Sequence, residues 1–332
     1  MSILNSLAKA IVAGALAIGA SAHAQTASTG SGQAWPSQPI RMIVPFPPGG
    51  TTDQIARLLQ PHWQKALGVS VLIDNRGGAS GAIGSGMAAK APPDGTTFLL
   101  VFDTHGVNPS LIPNMPFDTL RDLAPIMLVG KSPMVITAHP SFPYKTFAEV
   151  LRLAKRQPRE LTYGTIGSGS LAHLAVTLIT NQTKTELTHI PYKGGGPLVV
   201  AAMGGEVPVS IASLALLSPS IQAKRLRAIA MTSPKRHPQY LDVPTVSEQG
   251  LPGFDAEAWW GLLAPANTPQ SILNRMHAET SKALKIPSVQ QHLDQQALVV
   301  VASSPEEFQK FVAGEVERWA RVVRDNKIKP GD

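Results

Sequence analysis

Two segments of the chain put small and hydroxylated residues where a β-rich run passes into a helical pattern. The first is Pro45-Phe-Pro-Pro-Gly-Gly-Thr-Thr-Asp53, after an apolar run that begins near Ile40, and the second is Gly164-Thr-Ile-Gly-Ser-Gly-Ser170, followed by Leu171-Ala-His-Leu174. The first-turn N–H groups of a helix lack intrahelical acceptors and carry about half a positive charge from the aligned peptide dipoles, so an anion is their natural occupant. Glycine lets such an anion reach the backbone. Two turns of this kind on opposite sides of a cleft would hold an organic acid by its carboxylate ends. A third turn, Asp74-Asn-Arg-Gly-Gly-Ala-Ser-Gly-Ala-Ile-Gly-Ser-Gly86, and a fourth, Phe102-Asp-Thr-His-Gly-Val-Asn-Pro109, have the same place between strand and helix.

Competing chemistries fit less well. The first turn lacks the Gly-Lys-Ser/Thr ending of a nucleotide P-loop, so no lysine reaches a phosphate and no hydroxyl meets magnesium. Its bland reading is a tight turn with Thr51 as helix N-cap and Gln54 completing a capping box. The second turn invites a serine-hydrolase reading with Ser168 or Ser170 and His173. Neither serine has the glycines two before and two after that a nucleophile elbow requires, and no orienting carboxylate is nominated. The nine histidines are dispersed without metal-ligand spacing, so neither a metal nor a cofactor is expected. Trp259 and Trp260 are expected to pack in the interior, with one ring at most reaching a cleft mouth. Lys193-Gly-Gly-Gly-Pro197 reads as a loop that lets residues 196–203 begin a helix.

The N-terminus carries an address. Lys9 closes a short basic region, residues 10–20 are apolar, and Ala22-His-Ala24 supplies the small residues a signal peptidase reads, which predicts cleavage after Ala24 and export to the periplasm. That apolar run is about half of the ~20 residues a membrane span needs. Residues 25–34 are Thr, Ser, Gly, Ala and Gln, a composition that predicts a flexible leader. The 332-residue chain has no cysteine, so an exported form is stabilised by its cores. It carries 29 Lys and Arg against 22 Asp and Glu, a net charge of +7 that favours capture of anionic ligands. No basic run interleaved with aromatics suggests nucleic acid as a partner.

These turns need rigid elements to position them. Strand-length apolar runs at 40–45, 69–73, 97–102, 126–129, 134–138, 161–163, 207–211, 227–231 and 259–264 alternate with helical patterns at 53–67, 85–90, 147–156, 171–180, 196–203, 271–284 and 305–326. The alternation predicts an α/β fold with mainly parallel sheets flanked by helices, and ligands bind such sheets at the carboxyl ends of the strands. A length near 300 residues suits two domains: 35–130 with 253–332, and 131–252, crossing near Gly130-Lys-Ser-Pro133 and again near Pro252-Gly253.

Several motifs in this order resemble one family. Besides the first turn they are Asn75-Arg-Gly-Gly-Ala-Ser-Gly81, His105-Gly-Val-Asn-Pro109, Gly167-Ser-Gly-Ser-Leu-Ala-His-Leu174, Pro191-Tyr-Lys-Gly194, Asp242-Val-Pro-Thr245, Gly250-Leu-Pro-Gly253 and Trp260-Gly-Leu-Leu-Ala-Pro-Ala266 with Thr268-Pro269. Over nearly the whole chain after the leader it resembles the Bug-type, TctC-like receptors of tripartite tricarboxylate transporters. The resemblance implies a two-domain Venus-flytrap (periplasmic-binding-protein) fold that captures a carboxylate and delivers it to membrane permease subunits. It also implies that the loop at Phe46–Thr52 and the loop at Thr165–Ser170 close on the ligand as pincers, with waters bridging one carboxylate. The candidate contacts are then Phe46, Gly49, Gly50, Thr51 and Thr52; Ala79 and Ser80; Thr104 and His105; Thr165, Ser168, Gly169, Ser170 and His173; and Ser213.

The chain departs from the family pattern at Pro208 and Ala212, where relatives commonly carry Asp, and at Gly77 and Ala82, where they carry Pro and Asn. Losing the carboxylates disfavours an ammonium-bearing ligand, because a buried unpaired charge is far costlier than a buried dipole. Asp53 and Asp103 are the remaining acids near the turns. The expected ligand is therefore a di- or tricarboxylate, aliphatic or aromatic, bound by a monomeric receptor without catalysis. A ligand-sensing subunit for a membrane histidine kinase is the second reading and an exported serine hydrolase the third.

Overall fold

The computed structural model describes residues 35–328; the predicted signal segment and leader, at 1–34, lie outside them. The first strand, β1 (Ile40–Val44), is an apolar run buried at four of its five positions. It lies parallel to β2 (Val71–Asn75), with Ile40 opposite Val71, and to β3 (Thr97–Phe102). Helix α1 (Thr51–Leu67) joins β1 to β2 and buries Ile55, Leu59, Trp63 and Leu67, residues three or four apart that form one helix face. Gly68 ends it in the left-handed conformation, its N–H returning to the Gln64 carbonyl at 3.0 Å.

Helix α2 (Ala82–Ala89) follows a single 3-10 turn at Ala79–Gly81, and α3 (Thr104–Leu111) begins directly after β3. The sequence pattern leaves α3 as loop, because Gly106 and Pro109 weaken the helical signal. Pro109 falls in the second turn of this eight-residue helix.

The next strand, β4 (Leu123–Ala138), is one continuous element of 16 residues where the sequence pattern suggests two strands broken at 130–133. Its first part pairs antiparallel with β9 (Glu257–Pro265), from Leu123 opposite Pro265 to Pro133 opposite Glu257. From Met134 onward it pairs instead with β7 (Val209–Ser213) and β8 (Arg227–Met231). A single strand therefore belongs to two half-sheets, and the changeover falls between Pro133 and Met134. The apparent gap has a physical cause at Gly130. A side chain there would lie 2.7 Å from the Val299 carbonyl, where the short strand β10 (Val299–Val300) pairs with β4.

The second half-sheet holds β5 (Thr162–Thr165) and β6 (Thr188–Pro191), both parallel to the direction of β7. Its helices are α4 (Phe147–Arg156), α5 (Leu171–Thr183), α6 (Gly195–Gly204) and α7 (Leu214–Gln222). The overall strand order is β2-β1-β3-β9-β4-β7-β5-β6, with β8 and β10 also on β4. Parallel pairs build the outer part of each half, and the long antiparallel strands β4 and β9 join them. The C-terminal helices α8 (Gln270–Leu284), α9 (Pro287–Gln295) and α10 (Pro305–Asp325) complete the chain. Phe308 and Val312 of α10 pack with Ile43, Leu99 and Leu263, so this helix returns to the first half-sheet. Burying each such side chain contributes about 1.5–3 kcal/mol.

Candidate functional site

The turn after β1 is fixed by a carboxylate. Asp53, in the first turn of α1, accepts from the Gly49 N–H at 3.0 Å, from Arg57 at 2.9 Å and from Asn75 Nδ2 at 3.0 Å. The same Asn75 nitrogen also donates to the Phe46 carbonyl at 3.0 Å. Burial alone would raise the Asp53 carboxyl, but these bonds and the Arg57 charge together hold it below the usual range. Gly49 adopts φ +87°, which favours glycine. The N-cap of α1 is Gly50 and not Thr51, and it offers no side-chain cap; Gln54 donates to the Gly49 carbonyl instead of closing a capping box. The first-turn donors of α1 thus remain uncapped.

The turn after β5 is held differently. Thr165 Oγ1 lies 2.7 Å from His189 Nε2 and donates to the Gly167 carbonyl. Ser170 Oγ caps α5 by accepting from the His173 N–H, while His173 Nδ1 accepts from the Gly169 N–H at 3.1 Å. His173 also stacks on His189 with centroids 4.1 Å apart, and His189 stacks on Tyr163. Burial, and then the neighbouring His173, lower His189 to about 4. Ser170 and His173 therefore shape the loop, each through a bond to backbone.

Between these turns lies a small cavity of about 30 Å³, room for roughly two water molecules. Gly50, Thr51 and Thr52 of α1, Ala172 of α5, Gly195 of α6 and Ser213 at the N-cap of α7 line it, so four helix N-termini meet there. The remaining wall is apolar: Phe46, Phe102, Met134, Ile166, Ala212 and Leu216. Among the described residues no charged side chain lines it. Helices α1 and α6 both lack a side-chain cap, and they face each other: a Cβ built on Gly50 would sit 3.8 Å from the Gly195 nitrogen. Such a chamber offers N–H donors to an anion and an apolar wall to its carbon body.

Outside this cavity is a groove of about 870 Å³, which shares Phe46 and Ile166 with it. Ala79, Ser80 and Ser168 line the groove. Across it Ser80 Oγ donates to the Ser168 carbonyl at 2.6 Å, and Asn108 Nδ2 of α3 supports Ser80 by donating to its carbonyl at 3.0 Å. Ser80 sits at φ +50°, an uncommon conformation for a non-glycine residue. The two half-sheets also approach through bare backbone, a Cβ on Gly49 lying 3.8 Å from Gly196 Cα.

Of the residues singled out from sequence, Phe46, Gly50, Thr51, Thr52 and Ser213 line the cavity, and Ala79, Ser80 and Ser168 line the groove with Phe46. Gly49, Thr165, Gly169, Ser170 and His173 lie in the turns behind these walls. Thr104 and His105 line neither space: both are buried in α3, where His105 stacks on Phe117 and burial lowers it to about 4. Asp103 is fully buried, and its carboxyl is raised well above the usual range by burial first and the Glu315 charge second, opposed by the Thr104 N–H. Neither Asp53 nor Asp103 faces the cavity. Trp260 is buried against Phe102 at 5.1 Å and Trp259 against Phe308, so neither ring lines it. Phe102, Met134, Ile166, Ala172, Gly195 and Leu216 were not singled out from sequence. Phe102 and Ile166 lie in turns the sequence marks, Gly195 in the triple glycine after Lys193, while Met134, Ala172 and Leu216 left no signal.

Comparison with known proteins agrees with this architecture. Residues 55–328 match the model of the tripartite tricarboxylate transporter family receptor. Protein BugT of Bordetella pertussis is 36% identical over 310 residues, which cover 93% of this chain and 95% of BugT. A solved structure described as a periplasmic transporter has a TM-score of 0.85 at 38% identity, covering 89% of this chain and 99% of that one. Rpa4515 of R. palustris with adipate has a TM-score of 0.85 at 33% identity, with coverage of 89% and 99%. MatC from Rhodopseudomonas palustris with bound malate has a TM-score of 0.82 at 30% identity, with coverage of 87% and 99%. The periplasmic-binding-protein fold is shared throughout, and the chain belongs to the tripartite tricarboxylate transporter receptor family, the Bug-type solute-binding proteins.

Proposed function

We propose that the chain is exported through a cleavable signal peptide, captures a carboxylate in the cavity between its two halves, and hands it to the permease subunits of a tripartite tricarboxylate transporter. The observation that carries this reading is the uncharged cavity at which four helix N-termini meet. A carboxylate there is matched by the first-turn N–H groups of α1 and α6, which no side chain caps, each worth about 1–3 kcal/mol if left unsatisfied in a closed site. With no acid among the described residues lining the cavity, an ammonium group would be desolvated without a partner, so a carboxylic acid without an amino group is favoured over an amino acid. Adipate and malate, bound by Rpa4515 and MatC, are acids of this kind. Domain one is then 35–130 with 253–332 and domain two 131–252, hinged where β4 changes partners.

The test is calorimetry with malate, succinate, adipate and terephthalate beside their methyl diesters, aspartate and glutamate. Binding of at least one diacid with little or no binding of its diester is expected. Equal affinity for acid and diester, or a clear preference for the amino acids, would overturn the reading.

A further inference from the structure

Among the described residues the groove outside the cavity is lined by one charged residue, Lys193, in the loop between β6 and α6. Two other cations lie near the groove, Arg76 between lining residues Asn75 and Gly77 and Arg57 donating to Asn75 at 3.2 Å, and both are committed. Arg76 pairs with Asp74 at 2.8 Å, and Arg57 pairs with Asp53 at 2.9 Å. Lys193 forms no ion pair among the described residues. Lys193 is exposed and lines a space whose other walls, Pro47, Pro48, Gly78 and Tyr192 among them, bring no charge.

Two further facts tie Lys193 to the cavity. The backbone of its loop is pinned to the wall between the two spaces, since the Tyr192 N–H donates to the Thr165 carbonyl at 3.0 Å and the Gly194 N–H to the Ile166 carbonyl at 3.1 Å. Gly195, two residues on, lines the cavity itself, which puts the Cα of Lys193 within about 7.6 Å of a cavity-lining Cα, at 3.8 Å per peptide. Phe46 and Ile166 line both spaces and form the partition.

Resting on the carboxylate reading above, we propose that the groove is a second subsite that takes the far carboxylate of an elongated diacid. The first carboxylate meets the helix N-termini of the cavity, the carbon body passes between Phe46 and Ile166, and the far carboxylate pairs with the Lys193 ammonium. The two ends are recognised by different physics. Fixed backbone dipoles in an uncharged, enclosed site hold the first, whereas a flexible, solvent-screened charge holds the second. The chain thereby selects for acids long enough to reach both.

The experiment titrates the α,ω-diacids from succinate to suberate, and terephthalate, each beside its monomethyl ester, into the wild-type chain, Lys193→Met and Lys193→Arg. Lys193→Met keeps most of the apolar stem and removes the charge. The expected result is that the wild type prefers at least one diacid over its monoester by about tenfold, that Lys193→Met abolishes this preference while monoester affinity stays within about twofold, and that Lys193→Arg retains it. The preference should also weaken as salt is raised. Unliganded melting midpoints that agree among the three proteins show that folding is not the cause. A wild type that binds diacid and monoester alike, or a Lys193→Met variant that keeps the preference or weakens both equally, overturns the second subsite while leaving carboxylate capture standing. Failure of every acid and ester to bind overturns both.

Discussion

Gly195 has little room to become anything else. A Cβ there would lie 3.3 Å from Gly50 Cα across the cavity and 2.9 Å from a Leu216 methyl. The methyl can swing aside, but the opposing backbone cannot, so Gly195→Ala should weaken carboxylate binding by about tenfold or more while the unliganded melting midpoint stays put. Gly169→Val differs, because its φ of +73° adds about 1–2 kcal/mol of backbone strain and should lower stability as well. Buried titrating groups set the pH response. His105, held near 4, has a folded pKa below its unfolded value of about 6.5, so stability present above that value is lost as pH falls through this window. His189, also near 4, acts in the same direction. Asp103 acts oppositely: its raised carboxyl keeps a proton that the unfolded chain releases above pH ~3.9, so stability is lost as pH rises. Thermal melts across pH should show His105→Phe flattening the acid limb. Asp103→Asn should raise the midpoint at neutral pH and change little near pH ~4. The place of Thr51 and Thr52 on the cavity wall was legible in sequence because helix entry alone puts their N–H groups at the strand end. The burial of Thr104 and His105 was not, since it depends on α10 covering α3 from more than 200 residues away.

At the scale of elements, the bridge from Asn108 of α3 through Ser80 to the Ser168 carbonyl joins the 3-10 turn of one half to the helix entry of the other. One hydrogen bond of this kind contributes about 1 kcal/mol, so Ser80→Ala should cost about fivefold in affinity, mostly as a faster off-rate in stopped-flow measurements. An unchanged off-rate would mean that the bridge does not serve retention. Most strands and the longer helices were readable from periodicity, because each has an apolar core face. Helices α3, α7 and α9, strands β6 and β10, and the continuity of β4 were not. Gly106 and Pro109 weaken the local helical signal in α3, which packing supplies instead. The Gly-Lys-Ser-Pro break in β4 mimics a turn, although Gly130 is there to admit β10.

For the molecule as a whole, the strand alternation predicted a parallel α/β architecture, and the parallel outer strands of each half agree. The antiparallel join through β4 and β9 was beyond local pattern, because pairing direction depends on which distant strands meet. A ligand bound only by the folded, closed chain raises its melting midpoint by mass action, with about 2.7 kcal/mol gained at a hundredfold excess over Kd. The best diacid should therefore give a large upward shift, and its diester should give none.

The meeting of Gly49 with Gly196, and of Gly50 with Gly195, leaves the jaws without teeth. Where side chains line a closing surface, an oversized guest is met by rotamer changes. Backbone against backbone offers no such give. A carboxylate one group too bulky should then bind one jaw and prop the other ajar, occupying the receptor without completing it. Such acids would be decoys, silent in transport yet competitive with the true cargo.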